Sequence, residues 1–190
     1  MRSITVTMWV TIDGIAQGLG RPEEDTRGGF THGGWGPQYG DEVLGQEMAK
    51  PGDMLLGRRT WQDFITVWAR QTDGNPFTSR MNATTKYVVS RTLENADAWE
   101  NSVLLSGDAA GTVAELKAQP GNDLGIIGSV ALVRSLHAAA LIDHYTLVTC
   151  PLTLGSGARL FDGPAPLTEF ELTGSVTTTK GVIIAHYTRR

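Results

Sequence analysis

The sequence predicts an α/β fold with a mostly parallel central sheet and an antiparallel C-terminal hairpin. Three observations carry this. Apolar, β-branched runs alternate with helix-compatible segments through the middle of the chain, as in sheets whose strands are joined by crossover helices. Two of those runs, Met54-Leu-Leu56 and Leu124-Gly-Ile-Ile127, pass through a glycine directly into a helical segment. The chain then closes on two alternating runs, Leu167 to Leu172 and Gly181 to Thr188, which read as a hairpin at the sheet edge.

Taken in order, residues 3 to 12 are dense in β-branched and aromatic side chains and predict the first strand. Asp13-Gly14 supplies a turn or bulge, and Ile15-Ala16 is apolar again. From Gly18 to Gly40 the chain holds eight glycines and no periodicity, a long loop of the kind that is functional or disordered. Phe30, His32 and Trp35 make it more aromatic than a spacer needs, so it reads as a lid or substrate-side loop. Residues 41 to 50 predict a short helix, with Asp41 and Glu42 at its positive end and Val43, Leu44, Glu47 and Met48 along one stripe. Pro51-Gly52 ends it, the strand from Asp53 follows, and a helix runs from Gly57 to about Trp68. Gln71 to Thr85 is polar and yields no assignment. Residues 86 to 90 read as a buried strand and 102 to 105 as another short one. Residues 107 to 119 predict a helix stopped by Pro120-Gly121, 124 to 127 a strand, 130 to 141 a helix and 143 to 150 a strand. A glycine-bearing loop, 151 to 161, leads to the hairpin.

The length of 190 residues suits one domain, residues 1–190. The 41% hydrophobic and 19% charged residues argue against disorder and against a fibre. A net charge of −4 argues against nucleic acid as a partner. The single cysteine, Cys150, has no intramolecular disulfide partner and lies in an apolar run, so it reads as a buried strand residue. No stretch is apolar for long enough to span a bilayer and the first residues show no signal-peptide pattern. A soluble, cytoplasmic protein without a membrane partner is therefore expected. His32, His137, His144 and His186 stand at spacings that suit no metal template, so no metal site is expected. A serine-hydrolase elbow is missing, and Gly155-Ser-Gly157 is too short for a phosphate-binding P-loop.

The stretch around which the chain is organised is Asp53 to Phe64. A strand that turns through Gly57 into a helix leaves the first helical N–H groups facing open space, which together with the dipole suits an anion. Arg58 adds a fork of donors and Thr60 a hydroxyl; the plainer alternative is an ordinary junction with solvated arginines. Three loops leave strand carboxyl ends, Gly57-Arg58, Ser90-Arg91 and Gly128-Ser129, and ligands of open α/β sheets bind at such ends. One ligand touching all three would be elongated and multiply anionic, as a dinucleotide is. Asp13 reads first as a turn former, Arg159 as solvated or as a contact for a substrate phosphate, and Trp9 and Trp61 as core.

On Thr11-Ile-Asp-Gly-Ile-Ala16, Leu56-Gly-Arg-Arg-Thr-Trp61, Val89-Ser-Arg-Thr92, Ile126-Ile-Gly-Ser129 and the loop from Pro151 to Phe161, the chain resembles the dihydrofolate reductase-like superfamily. It looks closest to the branch containing the reductase domain of bacterial riboflavin biosynthesis, and these motifs stand in the family's order over nearly the whole chain. The resemblance implies a three-layer sandwich and an NADPH-dependent reductase. Its reaction would be hydride transfer to a small heterocyclic or sugar-linked substrate, a phosphoribosylaminouracil in the family's manner. Carried over by position, Gly57, Arg58 and Thr60 would hold the cofactor diphosphate, and Ser90 and Arg91 the adenosine 2′-phosphate. Gly128, Ser129 and Val130 would take the nicotinamide side of the diphosphate, and Ala16 would line the nicotinamide. Dihydrofolate reductases keep a carboxylate on the helix before the Gly-Arg-x-Thr motif; Asp41, sixteen positions before Gly57, is similarly placed and is the candidate proton source, although aspartate there is also a natural helix cap. His32, Trp35 and Arg159 are the candidate substrate contacts. A homodimer is implied as well, with the apolar edge Val182 to Ala185 in need of cover. There is no Cys/His cluster for a deaminase zinc, so no deamination is expected. Dihydrofolate reduction, or nucleotide binding without turnover, are the alternatives.

Overall fold

The computed structural model describes residues 1–48, 52–69, 71 and 73–190, with residues 47 and 48 through their backbone only. Lys50 and Pro51, expected at the end of the first helix, lie outside the described residues, as do the side chains of Glu47 and Met48. The strands are β1 (Ile4–Thr11), β2 (Asp53–Gly57), β3 (Lys86–Ser90), β4 (Ser102–Ser106), β5 (Leu124–Ile127), β6 (His144–Cys150), β7 (Phe170–Thr177) and β8 (Ile183–Arg189). The helices are α1 (Glu42–Met48), α2 (Arg58–Trp68), α3 (Pro76–Ala83), α4 (Ala109–Ala118) and α5 (Val130–Ala138). β2 pairs with β3 and β5, β3 with β4, and β1 with β6, all parallel; β8 runs antiparallel to both β6 and β7. The fold is therefore α/β and mostly parallel, with an antiparallel C-terminal hairpin. The residues fall into two compact units, Met1–Ile4 with Pro51–Leu141, and Thr5–Lys50 with Ile142–Arg190.

In the first unit the strand order is β4-β3-β2-β5. The continuous apolar run of β2 is explained by burial: Met54, Leu55 and Leu56 are all interior, as a parallel strand covered on both faces requires. Trp61 of α2, Met81 of α3, Val88 of β3 and Trp99 pack with Met54 and Leu56 in one cluster. The unassigned polar segment contains α3. Its signal is Asn75-Pro76: the Asn75 side chain accepts the Phe77 N–H at 2.9 Å, and the proline occupies the first turn, where no backbone N–H is needed. α4 begins two residues later than expected, because Asp108 caps it through the Gly111 N–H at 3.0 Å. α5 stops at Ala138 and not at Leu141: Ala140 takes a left-handed φ of 59°, and the Leu141 N–H turns back to the Leu136 carbonyl at 3.0 Å.

Arg2 and Lys86 are buried cations that hold this unit. Arg2 is paired with Asp53, donates to the Asn122 carbonyl and stacks over the Tyr87 ring at 5.0 Å. Lys86 is fully buried; its Nζ donates to the last-turn carbonyls of Met81 and Asn82 at 2.9 Å each and lies 4.3 Å from the Trp99 ring centre. Burial pushes the Lys86 amine down to about 8, although Glu100 opposes this.

In the second unit the order is β1-β6-β8-β7. Its core gathers Ile15, Phe30, Trp35, Leu44, Val148, Cys150, Val182 and Ile184. The glycine-rich loop thus sends Phe30 and Trp35 inward. Gly157 is needed where it stands: it has a φ of 113°, and a Cβ there would sit 2.8 Å from the Phe30 ring. Cys150 is the buried strand residue expected, its thiol pushed up to about 12 by burial. The reading of Val182 to Ala185 as an uncovered edge is corrected. Val182, Ile184 and Ala185 are buried and β8 is paired on both sides, so only Ile183 faces out. β7 also starts later and runs further than expected, to Thr177, because Gly174 and the register shift beside it interrupt the apolar side formed by Phe170, Leu172 and Val176 and most of its residues are exposed. Among the described residues no helix is long and apolar enough to cross a membrane.

Asp53→Ala strands the buried Arg2 guanidinium and is expected to cost about 3–5 kcal/mol in urea unfolding. For Lys86, the unfolded amine holds its proton to a higher pH than the folded one, so stability should rise between about pH 8 and pH 10, where only the unfolded state stays protonated. In Lys86→Met that rise should disappear from the unfolding curves.

Candidate functional site

The first unit brings three strand ends together. β2 ends at Gly57, the N-terminal cap of α2, and β5 leads through Gly128 into Ser129, the cap of α5. The Gly57 N–H donates to the Ser129 Oγ at 2.9 Å, joining the two junctions. Gly128 has a φ of 70° and Ser129 a φ of 58°. The left-handed pair swings the chain from strand to helix, and a Cβ at Gly128 would lie 3.4 Å from Thr60 of the facing helix. In the β2–β3 register Gly57 stands opposite Val89, which sets the Ser90-Arg91 turn next to the start of α2. Gly57, Arg58, Thr60, Ser90, Arg91, Gly128, Ser129 and Val130 are therefore gathered at the carboxyl ends of three adjacent strands.

Capping distinguishes these two helices from the rest. The Asp41 Oδ1 accepts the Leu44 N–H at 3.0 Å at the head of α1, and Asn75 and Asp108 do the same for α3 and α4. Neither α2 nor α5 has a side-chain cap: the α2 cap is a glycine, and the Ser129 hydroxyl is engaged by Gly57 instead. Two neighbouring helix starts thus keep first-turn N–H groups without a side-chain acceptor, the donor set that suits a diphosphate. Arg58 is half-buried and Arg91 exposed, and neither forms an ion pair among the described residues. Ser90 is buried, with its Oγ accepting the N–H groups of Thr92 and Leu93 at 3.1 and 3.0 Å; it shapes the turn that presents Arg91. The residues present fit a dinucleotide phosphate.

The second unit carries the other candidates. Ala16 has its N–H on the Ala158 carbonyl at 2.9 Å, and Arg159 donates from Nε to the Asp13 carbonyl at 3.0 Å. Arg159 helps line a cavity of about 440 Å³ together with Thr11, Ile12, Leu160 and Phe161. His32 is exposed and meets the edge of Phe30 at 5.9 Å. Trp35, expected on the substrate side, is a core residue: it is 5% exposed and its indole N–H donates to the Gln17 carbonyl at 2.8 Å. Asp41 is half-buried and spends one oxygen on its cap. Gln17 is a structural residue that the sequence does not mark. It is buried, donates to the carbonyls of Asp25 and Arg27 at 3.2 and 3.0 Å, and accepts the Ala158 N–H at 2.8 Å, so it ties two loops to the end of the first strand's turn. One glutamine beside a glycine carries no sequence signal for that task.

The sequence profile of the RibD C-terminal domain matches residues 2–184. The chain belongs to this family. Solved structures similar to it in fold include the following three. A putative riboflavin biosynthesis protein from Shewanella sp. PV-4 matches with a TM-score of 0.71 and 19% identity over 99% of both chains. A pyrimidine reductase-like protein from Corynebacterium diphtheriae gives 0.67 and 10% identity over 100% of this chain and 92% of that one. A dihydrofolate reductase from Enterococcus faecalis, complexed with NADP(H), gives 0.64 and 13% identity over 99% of this chain and 96% of that one. By sequence, the uncharacterized protein YyaP of Bacillus subtilis (strain 168) is 24% identical over 133 residues, covering 68% of this chain and 70% of the relative. At these identities the solved structures show the fold; the family assignment rests on the profile match.

Asp41 can be tested for its two roles separately. Asp41→Asn keeps a side-chain oxygen for the Leu44 N–H and should leave stability within about 0.5 kcal/mol, whereas Asp41→Ala should cost about 1 kcal/mol in thermal or urea unfolding.

Proposed function

We propose that this chain is an NADPH-dependent reductase of the riboflavin-biosynthesis type, acting on a pyrimidine or similar heterocycle that carries a sugar phosphate. The observation that carries the reading is the pair of adjoining helix starts without side-chain caps, joined by the Gly57–Ser129 bond. In a RibD C-terminal domain, such a pair suits the diphosphate of a dinucleotide, with Gly57, Arg58 and Thr60 on one side and Gly128, Ser129 and Val130 on the other. Arg91, at the tip of the neighbouring turn, suits a 2′-phosphate through its bidentate fork. Reduced nicotinamide, when bound, supplies the hydride. The chain's own residues contribute binding, orientation and exclusion of water. Ala16 is assigned to the nicotinamide side and Arg159 to an anionic group of the substrate. The proton that completes the reduction is assigned to Asp41, or to water held by its second oxygen.

A dihydrofolate substrate is the second reading, favoured by the position of Asp41 at the head of α1. A homodimer belongs to the proposal through the resemblance alone, since the buried residues 182–185 give no argument for it; sedimentation as a monomer at micromolar concentration would remove it.

The deciding experiment titrates the protein with NADPH and with NADH, followed by tryptophan quenching. NADPH should bind preferentially, and Arg91→Ala should weaken NADPH by about 10- to 100-fold while leaving NADH nearly unchanged. Binding of neither dinucleotide would overturn the reductase reading, and equal losses for both would move the 2′-phosphate away from Arg91.

A further inference from the structure

We propose that Asp13 is a positioning residue that sets the substrate-side loop, and with it Arg159, for the reaction. The proposal rests on the reductase reading. In the second unit, residues 11–17 and 152–160 are laced together mainly by main-chain bonds. The Ile12 N–H donates to the Leu152 carbonyl, the Leu160 N–H to the Gly14 carbonyl and the Ala16 N–H to the Ala158 carbonyl, each at 2.9 Å. Ile15 and Arg159 form an antiparallel bridge. Such bonds are available to any sequence, and among the described residues none of them reaches the tip of the loop, Leu154 to Gly157. Gly155 and Gly157, with φ of 73° and 113°, do not stiffen that tip by themselves.

Asp13 supplies the missing tie. Its carboxylate accepts the Gly155 N–H at 2.8 Å and the Leu154 N–H at 3.3 Å to each oxygen, and takes the Thr11 hydroxyl as well. The Thr11 hydroxyl leads in holding the Asp13 carboxyl below the usual carboxylate range; the Gly155 and Leu154 N–H groups add to it, and partial burial opposes. An ionised carboxylate with this many donors is a clamp and not a proton source, which separates its task from that of Asp41. The Asp13 carbonyl meanwhile accepts from the Arg159 Nε at 3.0 Å. One residue thus holds the loop tip with its side chain and the arginine with its backbone, and Asp13 and Arg159 themselves both lie in the wall of the cavity that Ile12 and Phe161 flank. Loss of the clamp is expected to let Arg159 and the cavity wall drift from the position in which an anionic substrate group is met.

The test uses the full chain with Asp13→Asn, and Asp13→Glu as the variant that keeps the anion. Amide hydrogen exchange at Leu154 and Gly155 is measured without ligand, NADPH affinity by tryptophan quenching, and kcat and KM with a phosphorylated aminopyrimidine substrate. In Asp13→Asn, exchange at the two amides should speed about tenfold. The value of kcat/KM should fall up to about a hundredfold, while NADPH affinity stays within about twofold of wild type. Asp13→Glu should recover part of both losses. Unchanged exchange overturns the clamp, and faster exchange with unchanged kcat/KM overturns the positioning role. A wild-type chain that neither binds NADPH nor reduces substrate removes the reductase reading and the positioning role with it, while the exchange data still decide whether the clamp exists.

Discussion

The hydrogen bond from the Gly57 N–H to the Ser129 hydroxyl is the constraint on which the candidate cofactor site depends. A serine at a helix start ordinarily turns its oxygen back to its own helix. Here the left-handed backbone of Ser129 aims that oxygen at a different helix junction, so α5 keeps its first N–H groups uncapped and α2 begins on a glycine that has no side chain to cap with. Elsewhere in the chain, Asp41, Asn75 and Asp108 do the capping. Two helix starts without side-chain caps, drawn together by a bond that engages the Ser129 hydroxyl, leave donors that an anion can satisfy more completely than scattered water can.

The second unit solves a different problem. A loop of eight glycines has little conformational preference of its own, and ordering it costs entropy that must be recovered from specific contacts. Phe30 and Trp35 recover part of it by burial. Gln17 and Lys180 recover more by hydrogen bonds to backbone groups that would otherwise face water: Gln17 binds the carbonyls of Asp25 and Arg27, and Lys180 those of Gln38 and Gly40 at 2.8 and 2.7 Å. These are single side chains reaching main-chain atoms far along the sequence. That is why a glycine-rich segment can be ordered without any regular secondary structure beyond two short 3-10 turns.

Much of the fold is legible in the residues alone. The apolar run of β2, the glycine exits into α2 and α5, the β-branched first strand and the terminal hairpin all carry periodicity or punctuation that physics ties to one conformation. Other elements are hidden for physical reasons. The helix α3 is amphipathic only weakly, and its one strong mark is a two-residue cap. In β7 the alternation of Phe170, Leu172 and Val176 is broken by Gly174 at a register shift and most residues face solvent, so the pattern does not mark where the strand ends. The burial of Val182 to Ala185 depends on β8 having a strand on either side, which no local pattern records.

By itself, then, the sequence determined the kind of fold, the strand ends at which an anionic ligand would be met, and the arginines beside them, because each follows from residues close together along the chain. Only the tertiary structure decided that Ser129 caps nothing in its own helix, that Trp35 belongs to the core, and that Asp13 clamps a loop whose amides lie far along the chain. Those outcomes are set by which hydrogen-bonding groups folding brings within about 3 Å of one another, and at that range a single rotated hydroxyl or carboxylate decides whether a group caps, clamps or stays available to a ligand.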